Sequence, residues 1–327
     1  MDKQKIKIYF RADAGDRIGY GHFIRSLALA DILKNDFDCT FFTQTPTDFQ
    51  KREARKVCKL VELPADETKF DLFLTTIRGD EIVILDNYFF TSEYQRILKN
   101  EGCKLICFGT NDKHYYADVI INYVLSENDF SAENYTKFCL GFEWMLLREP
   151  FFCMVHRKNN ILDEKKNVVI CFGGTDQFEL TEKAVSVLKR MPVISDIHVI
   201  STNVIGALRI DHLCSQNVNM HINISAQEVA DIFSQCDIAI VSASSIAQEA
   251  LACHIPVIAG YYLDNQQNLY NYLLKNQYIM GVGDLMNEDF TKHLSETLNH
   301  FILNGFEVQT FDCNRLRNNY IHLLSTL

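Results

Sequence analysis

The chain has 327 residues, of which 47% are hydrophobic, and its formal net charge is −10. This length exceeds what one hydrophobic core usually serves, so the sequence predicts two domains. The acidic balance argues against nucleic acid or an anionic membrane as the main partner, because both attract basic protein surfaces.

The first half of the chain alternates short apolar strands with helices. We predict strands at residues 6–10, 39–43, 82–86, 104–108 and 119–122, and helices at about 23–34, 48–58, 71–78 and 92–100. Continuously apolar strands such as Ile82–Leu85 indicate a parallel sheet that is covered on both faces. Ligands bind such sheets at the carboxyl ends of the strands. The polar residues predicted at those ends are Arg11, Asp86, Asn87, Tyr88 and residues 109–112.

A polar loop over residues 11–22 joins the first strand to the first helix. Backbone N–H groups at a helix start attract anions, and Gly19 and Gly21 allow a close backbone approach or a positive φ. The glycines of the loop do not match the dinucleotide fingerprint G-x-G-x-x-G. His22 falls in or beside the first helical turn, where the helix dipole disfavours an imidazolium ion. A neutral imidazole there suits a general base that activates water, and a capping or solvated histidine is the alternative interpretation.

The second half repeats the alternation after a polar linker at residues 148–166. We place the domain boundary near Leu162, which gives predicted domains of residues 1–162 and 163–327. Strands are predicted at residues 167–172, 197–201, 217–222, 237–241 and 256–259, and helices at 179–189, 225–236, 246–254, within 265–276, and at 312–325. Ser225 and Glu228 have the spacing of a capping box. In two-domain proteins of this plan, the last helix can return to the first domain.

Polar loops follow three strands of the second half. Gly173, Gly174 and Thr175 suit a diphosphate held by backbone N–H groups and a hydroxyl, and a tight turn is the alternative. Ser244 and Ser245 precede a helix in which Glu249 lies one turn further on.

Glu249 is suited to accept hydrogen bonds from ribose hydroxyls, as an acidic residue does in dinucleotide sites. The alternative is an N-capping serine and a solvated glutamate. Asn265 and Gln266 carry amides, which recognise sugar hydroxyls and acetamido groups, and a polar helix start is their alternative. Together the three loops favour a nucleotide-sugar site.

Cysteine spacing and the N-terminus bear on compartment and partners. Eleven cysteines are scattered without a C-x-x-C pair, which favours reduced core cysteines in a cytoplasmic protein. The charged N-terminus has no apolar segment after it, so we expect no signal peptide, and no apolar run approaches the ~20 residues of a membrane helix. Asp13 and Asp16 are possible metal ligands, but without a third carboxylate at fixed spacing the pattern favours a solvated loop, so we expect no metal site. The expected partner is a small molecule, and the expected state is a monomer or weak dimer.

Several of these motifs resemble a known family. The segment Arg11-Ala-Asp13, the segment Ile18-Gly-Tyr-Gly-His22, Arg25 and residues 27–30 closely resemble the opening signature of the pseudaminic-acid pathway hydrolases, which act on UDP-2,4-diacetamido-2,4,6-trideoxy-β-L-altropyranose. The loops at residues 171–176 and 241–250 resemble that family's second-domain loops. Residues 264–268 also resemble a segment of the MurG-type N-acetylglucosaminyltransferases. The resemblance runs from about residue 7 to residue 274.

The resemblance implies an α/β GT-B-like fold, in which two Rossmann-like domains face each other across a cleft and UDP sits mainly on the second. It implies metal-independent hydrolysis of the UDP-sugar without a cofactor, and His22 matches the family's general base. The expected substrate-binding residues of the first domain are Arg11, Asp13, Gly19, Tyr20, Gly21, Asp86 and Tyr88. Those of the second are Gly173, Gly174, Thr175, Ser244, Ser245, Glu249, Asn265 and Gln266.

Two departures from the family pattern leave the sugar open. The chain has Gly109-Thr-Asn-Asp112 where the family often has two aspartates, and Asp86-Asn-Tyr88 where it often has Asp-His-Tyr. Both loops are expected to face the sugar. The alternatives in function are a GT-B glycosyltransferase that uses a UDP-N-acetylhexosamine-type donor, and a non-catalytic binder of nucleotide sugars.

Overall fold

The structure is a computed structural model, and it describes residues 5–15, 20–110, 112–152, 165–173, 178–201, 217–309 and 312–327. The chain divides into two compact units. Unit 1 comprises Met1–Glu149 and Asp312–Leu327, and unit 2 comprises Pro150–Phe311. The boundary expected near residue 162 lies outside the described residues, and the division between the units falls at residues 149 and 150.

Unit 1 is built on a seven-stranded sheet with the order β3-β2-β1-β4-β5-β7-β9, in which every neighbouring pair is parallel. Its strands are β1 (Lys7–Arg11), β2 (Asp38–Gln44), β3 (Lys59–Leu63), β4 (Ile82–Leu85), β5 (Lys104–Phe108), β6 (His114–Tyr115), β7 (Val119–Asn122), β8 (Ser131–Ala132) and β9 (Lys137–Leu140). Strands β6 and β8 pair with each other separately. Its first four helices are α1 (Gly21–Leu33), α2 (Asp48–Val57), α3 (Thr68–Leu74) and α4 (Ser92–Asn100). Short 3₁₀ helices span Glu127–Asp129 and Phe142–Trp144, and a third, Glu149–Phe152, lies at the division between the units.

Unit 2 is built on a six-stranded parallel sheet with the order β12-β11-β10-β13-β14-β15. Its strands are β10 (Lys166–Cys171), β11 (Ile194–Ser201), β12 (Val218–Ile222), β13 (Ile238–Ser242), β14 (Val257–Tyr261) and β15 (Met280–Asp284). Its described helices are α5 (Leu180–Leu188), α6 (Ala226–Gln235), α7 (Ser245–Ala252), α8 (Asp264–Lys275) and α9 (Phe290–Asn304). The chain then returns to unit 1 as α10 (Cys313–Ser325).

Both sheets are doubly wound, and this sets where ligands can bind. In unit 1 the strand order reverses between β1 and β4, and in unit 2 it reverses between β10 and β13. Loops at the carboxyl ends of the two strands that flank such a reversal diverge to opposite faces and leave a crevice. The polar loops predicted after β1, β4, β10 and β13 leave the sheets beside these reversals, and the loops after β5 and β14 leave one strand further along.

Local sequence explains why these elements form. All four residues of β4 are buried, as its continuous apolar run predicted. The capping box at Ser225 is confirmed, because the Ser225 backbone N–H donates to Glu228 Oε2 at 2.7 Å and the Glu228 N–H donates to the serine hydroxyl at 3.3 Å. A second box at Thr47 starts α2 in the same way.

The C-terminal helix α10 packs inside unit 1. Tyr320 is fully buried, and its hydroxyl donates to the backbone carbonyl of Trp144. Asn319 donates from Nδ2 to the carbonyl of Glu143 at 3.1 Å. Helix α10 also contacts α1, so the end of the chain supports the helix that carries His22.

The cysteines of the described chain are free thiols, and most of them are buried. Burial raises the pKa of Cys39 and of Cys58 to about 12, so neither thiol ionises readily. Within the described ranges, no helix is both long and apolar enough to cross a membrane.

Candidate active site

His22 is the second residue of α1 and lies beside the reversal point between β1 and β4. Its side chain is buried, with 7% exposed. Helix α1 places Arg25 and Ser26 on the same face, three and four residues further on. Strand β4 ends at Leu85, so the following residue, Asp86, is at the carboxyl edge and points toward this face of α1.

The carboxylate of Asp86 binds the imidazole of His22. The two atoms Nδ1 and Oδ1 are 2.7 Å apart, and the Asp86 side chain is only 1% exposed. Burial alone would raise the pKa of Asp86, but the charge of Arg25 and the hydrogen bonds from Arg25 and His22 hold it well below its usual value. An ionised carboxylate accepts and does not donate, so Nδ1 of the histidine carries the hydrogen.

The proton on Nδ1 leaves Nε2 of a neutral imidazole with a lone pair. Among the described residues, no side chain or backbone group hydrogen-bonds to Nε2. The ring of Tyr88 packs edge-on against the imidazole, with the ring centroids 4.7 Å apart, and 47% of Tyr88 is exposed. A carboxylate that fixes the tautomer of a histidine is the arrangement that makes the second ring nitrogen a base.

Arg25 and Ser26 complete the coordination of Asp86. Arg25 Nε donates to Oδ2 at 2.6 Å, and its Nη2 donates to Oδ1. The hydroxyl of Ser26 donates to Oδ2 at 3.0 Å. Burial alone would lower the pKa of Arg25, but the charge of Asp86 outweighs it and holds that pKa well above its ordinary value.

Arg11 and Asp13 come to the same sheet edge but bind each other. Both side chains are fully buried, and Arg11 Nη2 donates to Asp13 Oδ2 at 2.9 Å. Asp13 also accepts from the backbone N–H of Gln44 at 2.8 Å, and its own N–H donates to Asn87 Oδ1 at 2.7 Å. With neither side chain exposed, this pair supports the ends of β1, β2 and β4 in the described structure.

The remaining loop residues of unit 1 are placed as follows. Tyr20 is the N-cap of α1, makes no capping hydrogen bond from its side chain, and has its ring edge-on to Phe49 at 6.5 Å. Gly21 is the first residue of α1, without a positive φ, and a Cβ added there would meet no described atom within 4 Å, so its predicted close approach to substrate stays a prediction. Gly19 lies outside the described residues.

In unit 2 the three predicted loops leave neighbouring strands. Residues of β10 pair with β13, and residues of β13 pair with β14, in parallel register. Gly173 follows β10 with φ +99°, which glycine adopts readily, and a Cβ there would lie 3.0 Å from the Tyr262 hydroxyl. That hydroxyl donates to the carbonyl of Phe172 at 2.8 Å. Gly174 and Thr175 lie outside the described residues.

The loop after β13 matches one part of its alternative interpretation in position and contradicts the other part. Ser244 is the N-cap of α7, yet its side chain makes no capping bond, and its Oγ lies 3.1 Å from the Oγ of Ser242. Ser245 is the first helical residue and is partly buried. Glu249 is 3% exposed, so the solvated glutamate of the alternative is wrong.

The two amides after β14 have different environments. Gln266 is buried, and its Oε1 accepts from the backbone N–H of Tyr262 at 3.0 Å, which fixes the turn before α8. Asn265 is exposed on the first turn of α8. The structure therefore shows a structural use for Gln266, while Asn265 stays a predicted ligand contact. Across the described ranges, no three His, Cys, Asp or Glu side chains are grouped to hold a metal ion.

Arg25 and Ser26 were not predicted as site residues from the sequence. The signal for them was their spacing from His22, because residues three and four apart share a helix face. Their partner Asp86 lies 60 and 61 residues away along the chain, and that pairing needs the sheet topology.

No protein-family model matches the chain. It is 27% identical over 284 residues to a Campylobacter jejuni subsp. jejuni protein named UDP-2,4-diacetamido-2,4,6-trideoxy-beta-L-altropyranose hydrolase, and the match covers 84% of this chain and 98% of that one. The resemblance seen in the motifs is thereby confirmed at modest identity.

Solved structures of other proteins share the fold. Acinetobacter baumannii MurG matches with a TM-score of 0.64 and 13% identity, over 98% of this chain and 99% of MurG. Anabaena HepE in complex with UDP-glucose matches with a TM-score of 0.57 and 10% identity, over 98% and 100% of the chains. These likenesses, with the two parallel sheets, confirm the GT-B-like α/β fold class.

Proposed function

We propose that the protein hydrolyses a UDP-linked 2,4-diacetamido-2,4,6-trideoxy sugar to the free sugar and UDP, in the biosynthesis of a nonulosonic acid such as pseudaminic acid. The observation that carries the proposal is the pairing of His22 with Asp86 at the reversal point of the first sheet. The likeness to the Campylobacter hydrolase supports the kind of reaction. The departures at residues 86–88 and 109–112 leave the exact sugar to experiment.

In the proposed reaction, Nε2 of His22 takes a proton from water as the water oxygen forms a bond to the anomeric carbon. The bond between that carbon and the diphosphate oxygen breaks, and UDP leaves with the electron pair. Asp86 stabilises the imidazolium that forms and does not take the proton itself. General base catalysis of this kind contributes ~10²–10⁴-fold, or roughly 3–5 kcal/mol of barrier.

We propose that unit 2 contributes the UDP-binding residues. Gly173 would bring backbone N–H groups toward the diphosphate, and Ser244 and Ser245 would add hydroxyl donors beside it. Glu249 would accept hydrogen bonds from the ribose hydroxyls. These roles are supported by the loops' common position at the carboxyl edge of β10, β13 and β14. A diphosphate held by fixed N–H groups is a better leaving group because its growing charge is stabilised.

The second candidate is a glycosyltransferase in which a sugar or lipid hydroxyl replaces water. The likeness of the fold to MurG favours it, and the exposed ring of Tyr88 beside His22 is a surface on which an acceptor sugar could pack. A third candidate is a binder that holds the nucleotide sugar without turnover.

One assay separates the three candidates. The protein is incubated with the UDP-diacetamido sugar and no acceptor, and free UDP and free sugar are measured. Stoichiometric release of both supports the hydrolase. Release only after an acceptor is added supports the transferase, and tight UDP binding without release supports the binder. Because metal-independent chemistry is proposed, the release should survive a chelator; loss that added divalent metal restores would contradict that part.

A further inference from the structure

Arg25 lies against the carboxylate that the proposed base depends on. Its Nε and Nη2 form a two-pronged contact with the two oxygens of Asp86, a geometry that gives strong and directional hydrogen bonds. Its Nη2 is also 3.3 Å from Nδ1 of His22. The guanidinium therefore touches both members of the pair.

The position of Arg25 is itself fixed from several sides. Its Nη1 donates to the hydroxyl of Tyr123 at 3.3 Å, and its guanidinium carbon lies 4.9 Å from the centroid of the Phe108 ring. Only 22% of the Arg25 side chain is exposed. Tyr320 of α10 is fully buried. Burial raises its pKa well above the ordinary value, and the charge of Arg25 acts in the opposite direction. An arginine held in this way is not a solvated residue of the helix surface.

Charge balance indicates what Arg25 does. A buried carboxylate with no other cation would draw a second proton onto the neighbouring imidazole, since an isolated buried charge is costly. That proton would occupy the nitrogen that the reaction needs. With Arg25 present, the carboxylate is already neutralised, and the imidazole can stay neutral.

We propose that Arg25 is a positioning residue that holds Asp86 as a fixed and neutralised acceptor, so that Nε2 of His22 stays unprotonated before water is activated. This inference rests on the proposed function. In the described part of the chain, the charged or titratable groups that face the imidazole are Asp86 and Tyr88 from the loop after β4 and Arg25 from α1. Tyr123 reaches Arg25 from beyond the end of β7.

The test is the pH dependence of UDP release in Arg25→Met. At pH 7 we expect kcat to fall by ~10²-fold, within the range that a general base supplies. At pH 9 we expect it to recover to within about 10-fold of the wild type, because the extra proton is lost there. KM for the UDP-sugar should stay within about threefold, since Arg25 acts through Asp86. Arg96→Gln removes an exposed arginine that pairs with Glu93 on α4 and should leave kcat and its pH profile unchanged.

Arg25→Lys keeps the positive charge but loses the planar guanidinium that donates two parallel hydrogen bonds to Asp86. We expect its kcat to fall by about 10-fold, with the pH profile of the wild type. This variant tests the inference if Arg25→Met does not fold. Nitrogen-15 NMR of His22 at pH 7 gives a readout without turnover: the wild type should show a neutral ring protonated on Nδ1, and Arg25→Met an imidazolium.

A loss in Arg25→Met that is the same at pH 7 and pH 9, or a neutral His22 ring in that variant, would overturn the inference. So would a profile of Arg25→Lys shifted to high pH. A wild type that releases no UDP is a different result, because it removes the proposed function itself. An active wild type with a pH-independent variant removes only the role of Arg25.

Discussion

Replacing Asp86 by asparagine tests the proposed base through its partner. The carboxylate accepts from Nδ1 of His22 at 2.7 Å and from the hydroxyl of Ser26 at 3.0 Å, and Arg25 binds both of its oxygens. In Asp86→Asn, the amide oxygen at the Oδ2 position would keep the bonds from Arg25 Nε and Ser26, and the amide N–H₂ at the Oδ1 position would face the histidine and lose the bond from Arg25 Nη2. The imidazole would then carry its hydrogen on Nε2, where it cannot accept a proton from water.

The size of the effect follows from this change of tautomer. We expect kcat for UDP release to fall by ~10²–10⁴-fold, or roughly 3–5 kcal/mol of barrier. The affinity for UDP should change less than about threefold, because the proposed UDP site lies on unit 2. The variant should also unfold more readily, by about 1–3 kcal/mol, because the buried end of Arg25 loses its counter-charge.

A matched control separates catalysis from stability. Asp118 is a partly buried carboxylate of unit 1, bound by Lys99 Nζ at 2.6 Å and by the backbone N–H of Leu105 at 2.7 Å. Asp118→Asn should lower the thermal midpoint and leave kcat unchanged. Turnover of folded Asp86→Asn within threefold of the wild type would refute the catalytic role of the His22–Asp86 pair. An equal loss of kcat in Asp118→Asn would refute it as well.

Two further predictions concern unit 2. Glu249→Ala should weaken UDP binding by roughly 1–3 kcal/mol through lost charge-assisted hydrogen bonds, whereas the control Glu296→Ala, on the exposed face of α9, should leave the affinity unchanged. Calorimetry measures both affinities. An unaltered affinity in Glu249→Ala would contradict the proposed contact of Glu249 with the ribose. His198 and His221 stack on β11 and β12 with Nδ1 and Nε2 3.0 Å apart, and burial lowers the pKa of each below its usual value. A lowered pKa means that the unfolded chain binds protons at these two histidines more readily than the folded chain does. The contribution of the neutral pair to the free energy of unfolding is therefore complete above about pH 6.5 and is lost as the pH falls below it. Lowering the pH from 7.5 to 5.5 should therefore reduce the thermal midpoint more in the wild type than in the double variant His198→Asn/His221→Asn. Equal reductions in the two proteins would contradict the link between these histidines and stability.

Sequence patterns predicted much of the fold because the central strands and the caps are local features. The apolar run of β4 and the capping box at Ser225 each need only a few neighbouring residues to be recognised. Strands β3 and β15 were missed for physical reasons. Strand β3 is at a sheet edge with most of its side chains exposed, so it lacks an apolar run. Strand β15 contains two glycines among five residues, which strand patterns disfavour.

The location of the candidate site could be predicted from the sequence, but most of the contacts between its side chains could not. Strand ends and helix starts placed His22 and Asp86 at one edge, yet only the parallel order of β1 and β4 brings them to 2.7 Å. Arg11 and Asp13 were expected to face substrate. They are two residues apart at the end of a strand, so they lie on the same face. Their opposite charges pair with each other, and both side chains stay buried.

Turnover and UDP affinity of His22→Asn, measured side by side with the wild type, test the proposed base most directly. We predict that the wild type releases UDP and free sugar without an acceptor, and that His22→Asn loses at least ~10²-fold of that rate while binding UDP within about threefold of the wild-type affinity. A variant that keeps its rate would show that another group activates the water. A variant that loses UDP binding together with turnover would make His22 a ligand-holding residue and would contradict the division of base and nucleotide site between unit 1 and unit 2.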